Sequence, residues 1–258
     1  MAQVKLSPRM QAIADMADGK VAADIGCDHA FVSINLIKEK GFEKVIAMDV
    51  RKGPLEIAGK NISLYDVEDK IDIRLSDGFE KLSENEADTA IIAGMGGELM
   101  VDILKRGKIH TDNGIGLVLQ PQSEPEKVRK YILDIGYIIL DEVMLIDEGK
   151  YYVVIRADKC DSAEKNNKWY ICDATDEANM HYKSYDKPYS YVELLYGRIL
   201  IDNKDIILKE YLYKQLDKDN KLILSLEAAG TEHALRKIQE LRQEERYIKD
   251  VLHKIAKD

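Results

Sequence analysis

The sequence predicts an α/β protein, a doubly wound and mainly parallel sheet followed by a helical appendage. Three observations carry that reading. Short apolar runs alternate with amphipathic stretches between residues 20 and 135, as successive strand–helix units require. Two longer β-rich runs, Tyr137–Ile146 and Tyr151–Ala157, are joined by Asp147-Glu148-Gly149-Lys150, the composition of a tight antiparallel turn. Beyond Lys168, leucine and isoleucine recur at helical spacing.

Taken in order, the chain opens with an amphipathic segment carrying Met10, Ile13, Ala14 and Ala17. Strands are expected near 21–25, 44–48, 71–75, 89–93 and 116–119, with helices between them. Five parallel strands closed by an antiparallel hairpin resemble, over residues 1–158, the Rossmann-like class I methyltransferase sheet rather than the all-parallel dehydrogenase sheet. The polar run Asp158–Lys168 looks like a linker, so residues 1–160 are expected as a cofactor-binding catalytic domain and 161–258 as a helical appendage that would hold a macromolecular substrate. In that appendage Leu208, Leu212, Leu216, Leu222 and Leu226 share one stripe. Ile238, Leu241, Ile248, Leu252 and Ile255 share another, interrupted by Glu245, and Gly230 stands between the two. A coiled-coil-like antiparallel helical hairpin follows. Tyr182, Tyr185, Tyr189, Tyr191 and Tyr196 precede it; packing accounts for them more simply than stacking on bases.

The first strand carries the chemistry. Val21-Ala22-Ala23-Asp24-Ile25-Gly26-Cys27-Asp28-His29-Ala30 passes from apolar strand to helix through a single glycine. A dinucleotide pyrophosphate needs several glycines and a helix N-terminus facing the anion, and Asp28 would repel it. Asp49 closes the second strand and Asp77 follows the third. Such strand ends suit a nucleoside with a cationic centre and an amino-acid tail, which describes S-adenosylmethionine. Asp49 would accept hydrogen bonds from the ribose hydroxyls, and Asp77 would face the adenine edge. Either acid alone could equally be a helix cap. The fourth strand ends in Ala93-Gly94-Met95-Gly96-Gly97, where glycine lets a planar ligand reach the backbone. The fifth ends in Gln120-Pro121-Gln122, bringing amides to the same rim.

Composition sets limits. Hydrophobic residues at 45% and charged residues at 33% describe a globular chain, and no apolar run is long enough to span a bilayer. Cys27, Cys160 and Cys172 have neither metal-ligand spacing nor an even count, and the N-terminus lacks a signal-peptide core, so a cytoplasmic location is expected without a metal. The net charge of −9 divides unevenly: residues 1–160 hold 21 Lys+Arg against 28 Asp+Glu, and residues 161–258 hold 17 against 19. Any RNA contact must therefore be local. Lys5 with Arg9, and Arg51 with Lys52, are the RNA-binding candidates; Lys105-Arg106 with Lys108, and Lys127 with Arg129-Lys130, are further basic clusters.

Several of these motifs occur together in one known family. Leu6-Ser7-Pro8-Arg9, Ala23–Ala30, Gly53-Pro54-Leu55, Ile92–Gly97 and Leu119-Gln120-Pro121-Gln122, in this order, resemble the bacterial tRNA (adenine(22)-N1)-methyltransferases over essentially the whole chain. The resemblance implies methyl transfer from S-adenosylmethionine to N1 of an adenine in the D-loop region of tRNA, leaving S-adenosylhomocysteine, with residues 161–258 as the tRNA-binding appendage. It implies Gly26, Asp28, His29, Asp49, Asp77, Gly78, Gly94 and Met95 around the cofactor. Asp28, His29 and Met95 would act at the reaction centre by positioning rather than by acid–base work. Arg9 suits a carboxylate or a phosphate, because its fork matches both. A small-molecule methyltransferase of the same fold, or a non-catalytic cofactor-binding module, remains an alternative reading. A nicotinamide oxidoreductase is disfavoured by the single-glycine loop.

Overall fold

The computed structural model describes residues 4–160, 169–173, 181–185, 188–229 and 231–256; for the segments within 169–185 only the backbone is described. The chain forms two compact units, residues 1–188 and 189–258.

The first unit begins with α1 (Pro8–Met16). Ser7 caps it by accepting from the Met10 N–H, and Pro8 occupies the first turn, where its missing N–H costs nothing. There follow β1 (Val21–Ile25), α2 (Phe31–Glu39), β2 (Lys44–Asp49), α3 (Lys52–Leu64), β3 (Ile71–Leu75), β4 (Thr89–Gly96), α4 (Gly97–Arg106) and α5 (Lys108–Asp112). Then come β5 (Gly116–Ser123), α6 (Pro125–Asp134), β6 (Tyr137–Asp147) and β7 (Lys150–Lys159). The seven strands lie in the order β3-β2-β1-β4-β5-β7-β6. β1 to β5 are mutually parallel, and β7 runs antiparallel to both β5 and β6. The expected sheet is the observed one.

Strand order reverses between β1 and β4, so a crevice opens outside their C-terminal ends. The interior strands are almost wholly buried because helices cover the sheet; Ala22, Val45, Ile91 and Val118 pack into one cluster with Ile13, Ile34 and Ile62. β4 and β5 each outrun their expected ends. Register shifts on both sides of Met95 carry β4 on, with Met95 opposite Pro121 and Gly96 opposite Ser123.

The expected boundary near residue 160 differs from the observed division after Pro188. Asp158 and Lys159 belong to β7, while the remainder of the expected linker, 161–168, lies outside the described residues. Past it, where the sequence reads as helical, β8 (Trp169–Asp173) pairs antiparallel with β9 (His181–Tyr185). Aromatic residues at these positions suit a pleated surface as well as a packed helix, and pairing between the two segments decides for the strand.

The second unit contains α7 (Tyr191–Tyr196), α8 (Arg198–Asp202), α9 (Ile206–Ala229) and α10 (Glu232–Ala256). Ser190 and Glu193 form a capping box at α7. The expected hairpin is present as α9 and α10, with one correction to its stripe. Leu222 is exposed, and Asp219 and Ile223 are buried in its neighbourhood instead. A period of 3.6 residues turns Leu222 away from the line of Leu208 and Leu212. Tyr196 is buried, and Tyr191 meets Tyr247 edge-on with ring centroids 5.5 Å apart, so both take part in packing.

Candidate active site

Five parallel strands bring their C-terminal ends to one edge of the sheet, and the expected cofactor residues gather there. Gly26 follows β1 with φ +81°, and the N–H groups of Gly26 and Cys27 both donate to the Met48 carbonyl, at 2.7 and 2.9 Å. This folds the loop against β2. A Cβ on Gly26 would lie 2.4 Å from the Met95 methyl, the flexible tip of that side chain, so it is chiefly the positive φ that calls for glycine here. Asp28 and Ala30 also have positive φ, +48° and +59°. Aspartate tolerates that region and alanine does so at a cost, which places backbone strain in the loop beneath the site. The loop is fastened by Asn61, whose amide donates to the His29 carbonyl at 2.9 Å. Asp28 and His29 both point to solvent, 3.7 Å apart, and His29 meets Phe31 edge-on.

Asp49 is 5% exposed, and its Oδ1 accepts from the Arg51 N–H at 2.8 Å. The carboxylate is thus held rigidly at the end of β2. Asp77 is exposed, but it is not open. Arg106 of α4 grips it in an ion pair at 3.0 Å while also bonding Asp102. Gly78 sits at φ +60° with α4 packed close; a Cβ there would come 3.1 Å from Ile103.

Gly94, at φ +76°, forms the bulge of β4. A Cβ there would enter space bordered by Arg9 Nη1 at 3.6 Å and Gln122 Nε2 at 3.7 Å. Gly97 begins α4 so close to β5 that a Cβ would meet the carbonyls of Ser123 and Glu124 at 2.7 and 2.6 Å. The missing side chain at Gly94 therefore leaves a recess beside Met95, bordered by a cation and an amide, while Gly97 lets α4 pack closely on β5.

Sequence reasoning missed two features of this edge. Asp24, 4% exposed, accepts from the Ser33 hydroxyl at 2.5 Å. Burial, reinforced by the Asp49 charge and opposed by Ser33, pushes its carboxyl up to about 6. An acid inside an apolar strand signals such a site. Gln120 was placed at the rim but is fully buried, its oxygen accepting from Arg9 Nη1 at 2.9 Å and from the Gly94 N–H at 3.2 Å. No spacing in the sequence reveals a bond across 111 residues.

The edge suits S-adenosylmethionine. Its carboxylates match a ribose diol and a cationic sulfur, its single-glycine turn offers no pyrophosphate cradle, and a Cβ would fill the recess at Gly94. Residues 6–155 match the methyltransferase domain family. The chain belongs to that family. It is 29% identical over 98% of its length to the tRNA (adenine(22)-N(1))-methyltransferase of Bacillus subtilis, covering 99% of that protein. The crystal structure of the B. subtilis M1A22 tRNA methyltransferase TrmK superposes with a TM-score of 0.77 at 30% identity, covering 97% of this chain and 100% of that one. Streptococcus pneumoniae Sp1610, a putative tRNA (m1A22) methyltransferase solved in complex with S-adenosyl-L-methionine, superposes with a TM-score of 0.76 at 25% identity, covering 96% and 100%.

The basic clusters of this methyltransferase differ in their partners. Lys108 pairs with Asp112, Lys127 with Glu98 and Glu124, and Lys130 with Asp134, so these charges are largely neutralised locally. Arg129 is buried against Glu142 and serves the core. Arg51 and Lys52 are exposed at the start of α3, beside Asp49, and Lys5 is exposed ahead of α1. Among the described residues no three His, Cys, Asp or Glu are grouped to hold a metal, and no helix is long and apolar enough to cross a membrane.

Proposed function

We propose that this chain transfers a methyl group from S-adenosylmethionine to N1 of adenine 22 in tRNA and releases S-adenosylhomocysteine. The observation that carries this reading is the glycine recess of β4, set against Gly26 at the switch point of the sheet. It occurs in a chain similar from end to end to the B. subtilis enzyme. When bound, S-adenosylmethionine supplies an electrophilic methyl carbon on a positively charged sulfur.

The residues divide the work. Asp49 accepts from the ribose hydroxyls, and Asp77, oriented by Arg106, faces the adenine edge of the cofactor. Gly26, Gly78, Asp28 and His29 shape the loops around it. Gly94 and Met95 would border the end of the cofactor that carries the methyl group. Adenine N1 holds an in-plane lone pair and no proton at neutral pH, so attack requires no general base. The new N–C bond forms as the C–S bond breaks, and the sulfur keeps the electron pair. The chain contributes alignment, which can be worth several kcal/mol. Asp28 and the carbonyls of the Gly94–Met95 segment would offset the positive charge that develops on the ring. N1 lies on the Watson–Crick edge, so the base must be unpaired before it enters the recess. Lys5, Arg51 and Lys52, exposed around the same edge, are the phosphate contacts of this reading, and the helical unit holds the body of the tRNA.

Incubation with labelled S-adenosylmethionine and unmodified tRNA, followed by nucleoside analysis, tests the proposal. N1-methyladenosine at position 22 alone is expected. Label in a small acceptor, or cofactor binding with no methyl on RNA, would overturn it.

A further inference from the structure

The arginines of the first unit differ in one respect. Arg51, Arg74, Arg106, Arg129 and Arg156 each have a carboxylate within 4.0 Å. Among the described residues Arg9 has none, and its recorded side-chain partners are neutral: the Gln120 carboxamide at 2.9 Å and the Tyr152 ring, 5.3 Å from its centroid. Its backbone is fixed as well, because Asp147 accepts from the Ser7 hydroxyl at 2.7 Å and from the Arg9 N–H at 3.4 Å. A half-buried guanidinium is thus held rigidly at the Gly94 recess with its charge uncompensated. The same edge carries Asp24, Asp28, Asp49 and Asp77. A cation kept unpaired among so many acids is a site for an arriving oxyanion.

We infer that Gln120 is a positioning residue that holds Arg9 as an oxyanion clamp and, through the Gly94 N–H, ties the clamp to the peptide beside the reacting methyl group. The glutamine is fully buried. Its oxygen takes both bonds while its nitrogen donates to the Pro121 carbonyl at 3.0 Å, which fixes the direction of the amide. Glutamate there would accept the same two bonds but cancel the charge. The inference rests on the methyltransferase reading, and the oxyanion is either the carboxylate of the cofactor's amino-acid tail or a phosphate of the RNA.

The test is a double-mutant cycle on the full chain, with Arg9→Met, Gln120→Glu and both together. Calorimetry would give Kd for S-adenosylmethionine and for its decarboxylated analogue, and tRNA affinity would be followed against salt. If the carboxylate is clamped, each single variant weakens S-adenosylmethionine about tenfold and leaves the analogue unchanged. If a phosphate is clamped, cofactor affinity holds while tRNA affinity and its salt slope fall by about one phosphate contact. In both cases the double variant is no worse than Arg9→Met alone. Gln120→Met, which removes the acceptor without adding a buried charge, gives the same non-additivity should the glutamate variant not fold. Effects that multiply in the double variant, or affinities for cofactor and tRNA all within twofold of the parent, would overturn the inference. Because cofactor binding is read without turnover, absence of N1-methyladenosine would sink the proposed function while leaving this test intact.

Discussion

In the sheet unit, the buried carboxylates Asp24 and Asp49 stand at the C-terminal ends of β1 and β2, accepting from the Ser33 hydroxyl at 2.5 Å and the Arg51 N–H at 2.8 Å. In the helical unit, the buried carboxylate Asp219 stands mid-helix in α9. Gln215 donates to its Oδ1 at 2.9 Å, and its Oδ2 has no hydrogen-bond partner among the described residues. Burial raises the Asp219 carboxyl, and the nearby Glu245 charge adds to the effect. Glu244 on α10 is raised in turn, by its own burial and then by Asp219. Buried carboxyls cost desolvation energy in both units; under the proposed function Asp49 recovers it from the cofactor's ribose, whereas Asp219 is given no ligand. Buried charge at a sheet edge therefore reads as chemistry. Buried charge in a helical seam reads as a constraint on which faces pair, the role a polar residue plays in a coiled-coil core.

The largest expected effect is on the sheet side. Asp49→Ala should weaken S-adenosylmethionine binding by about 100-fold, roughly the loss of two hydrogen bonds to a charged acceptor. Calorimetry on the folded variant measures it. A Kd within a few-fold of the parent would remove Asp49 from the cofactor site and blur the contrast between the two units.

On the helical side the sign should reverse. Asp219→Leu should stabilise the protein by about 1–3 kcal/mol, since an apolar residue replaces a half-satisfied buried acid. Chemical denaturation followed by far-ultraviolet circular dichroism tests this. Loss of stability would mean that the carboxylate is satisfied in a way its neighbours do not show.

These two residues also mark how far the sequence could be read. The seven-stranded sheet was legible because apolar runs of strand length alternate with amphipathic ones, and because Asp147–Lys150 is a turn between two β-rich runs. Gly26, Asp49 and Gly94 were legible as strand ends. Asp219 was not, because the leucine stripe drawn through Leu222 passes one residue away from the true seam at Ile223. The pairing of β8 with β9 was hidden by its aromatic composition, which serves a strand or a packed helix equally. Arg106 bonding Asp77 across 29 residues, and Arg9 bonding Gln120 across 111, are tertiary facts that no local pattern encodes.

A pH titration sharpens the comparison further. Burial lifts Asp24 from 3.8 to about 6, so between those values the folded protein holds a proton that the unfolded chain has released. The contribution of Asp24 to stability is therefore complete below about pH 4 and is lost as pH rises through 6. Asp24→Asn should be more stable than the parent at pH 8 by about 3 kcal/mol, and the gap should shrink as pH falls through 6 and close below about pH 4. Thermal melts of the cofactor-free protein across that range decide it. A gap independent of pH would mean that Asp24 does not titrate there.

The smallest effect belongs to the surface of α9 and α10. Lys214 pairs with Glu210, Lys221 with Asp217, Arg236 with Glu232, and Arg242 reaches across to Glu227, all with largely exposed side chains. Water already solvates these charges, and holding two long side chains together costs entropy, so each pair contributes little. Lys221→Ala should change stability by less than about 0.5 kcal/mol, well below the shift from Asp219→Leu two residues away on the same helix. The two substitutions made in one protein should be additive, since an exposed lysine and a buried carboxylate share no partner. Strong coupling between them would show that the surface pairs and the buried acid form one network. The helical unit would then resemble the sheet edge, where Gln120 already joins Arg9 of α1 and Gly94 of β4 to β5 in a single polar cluster.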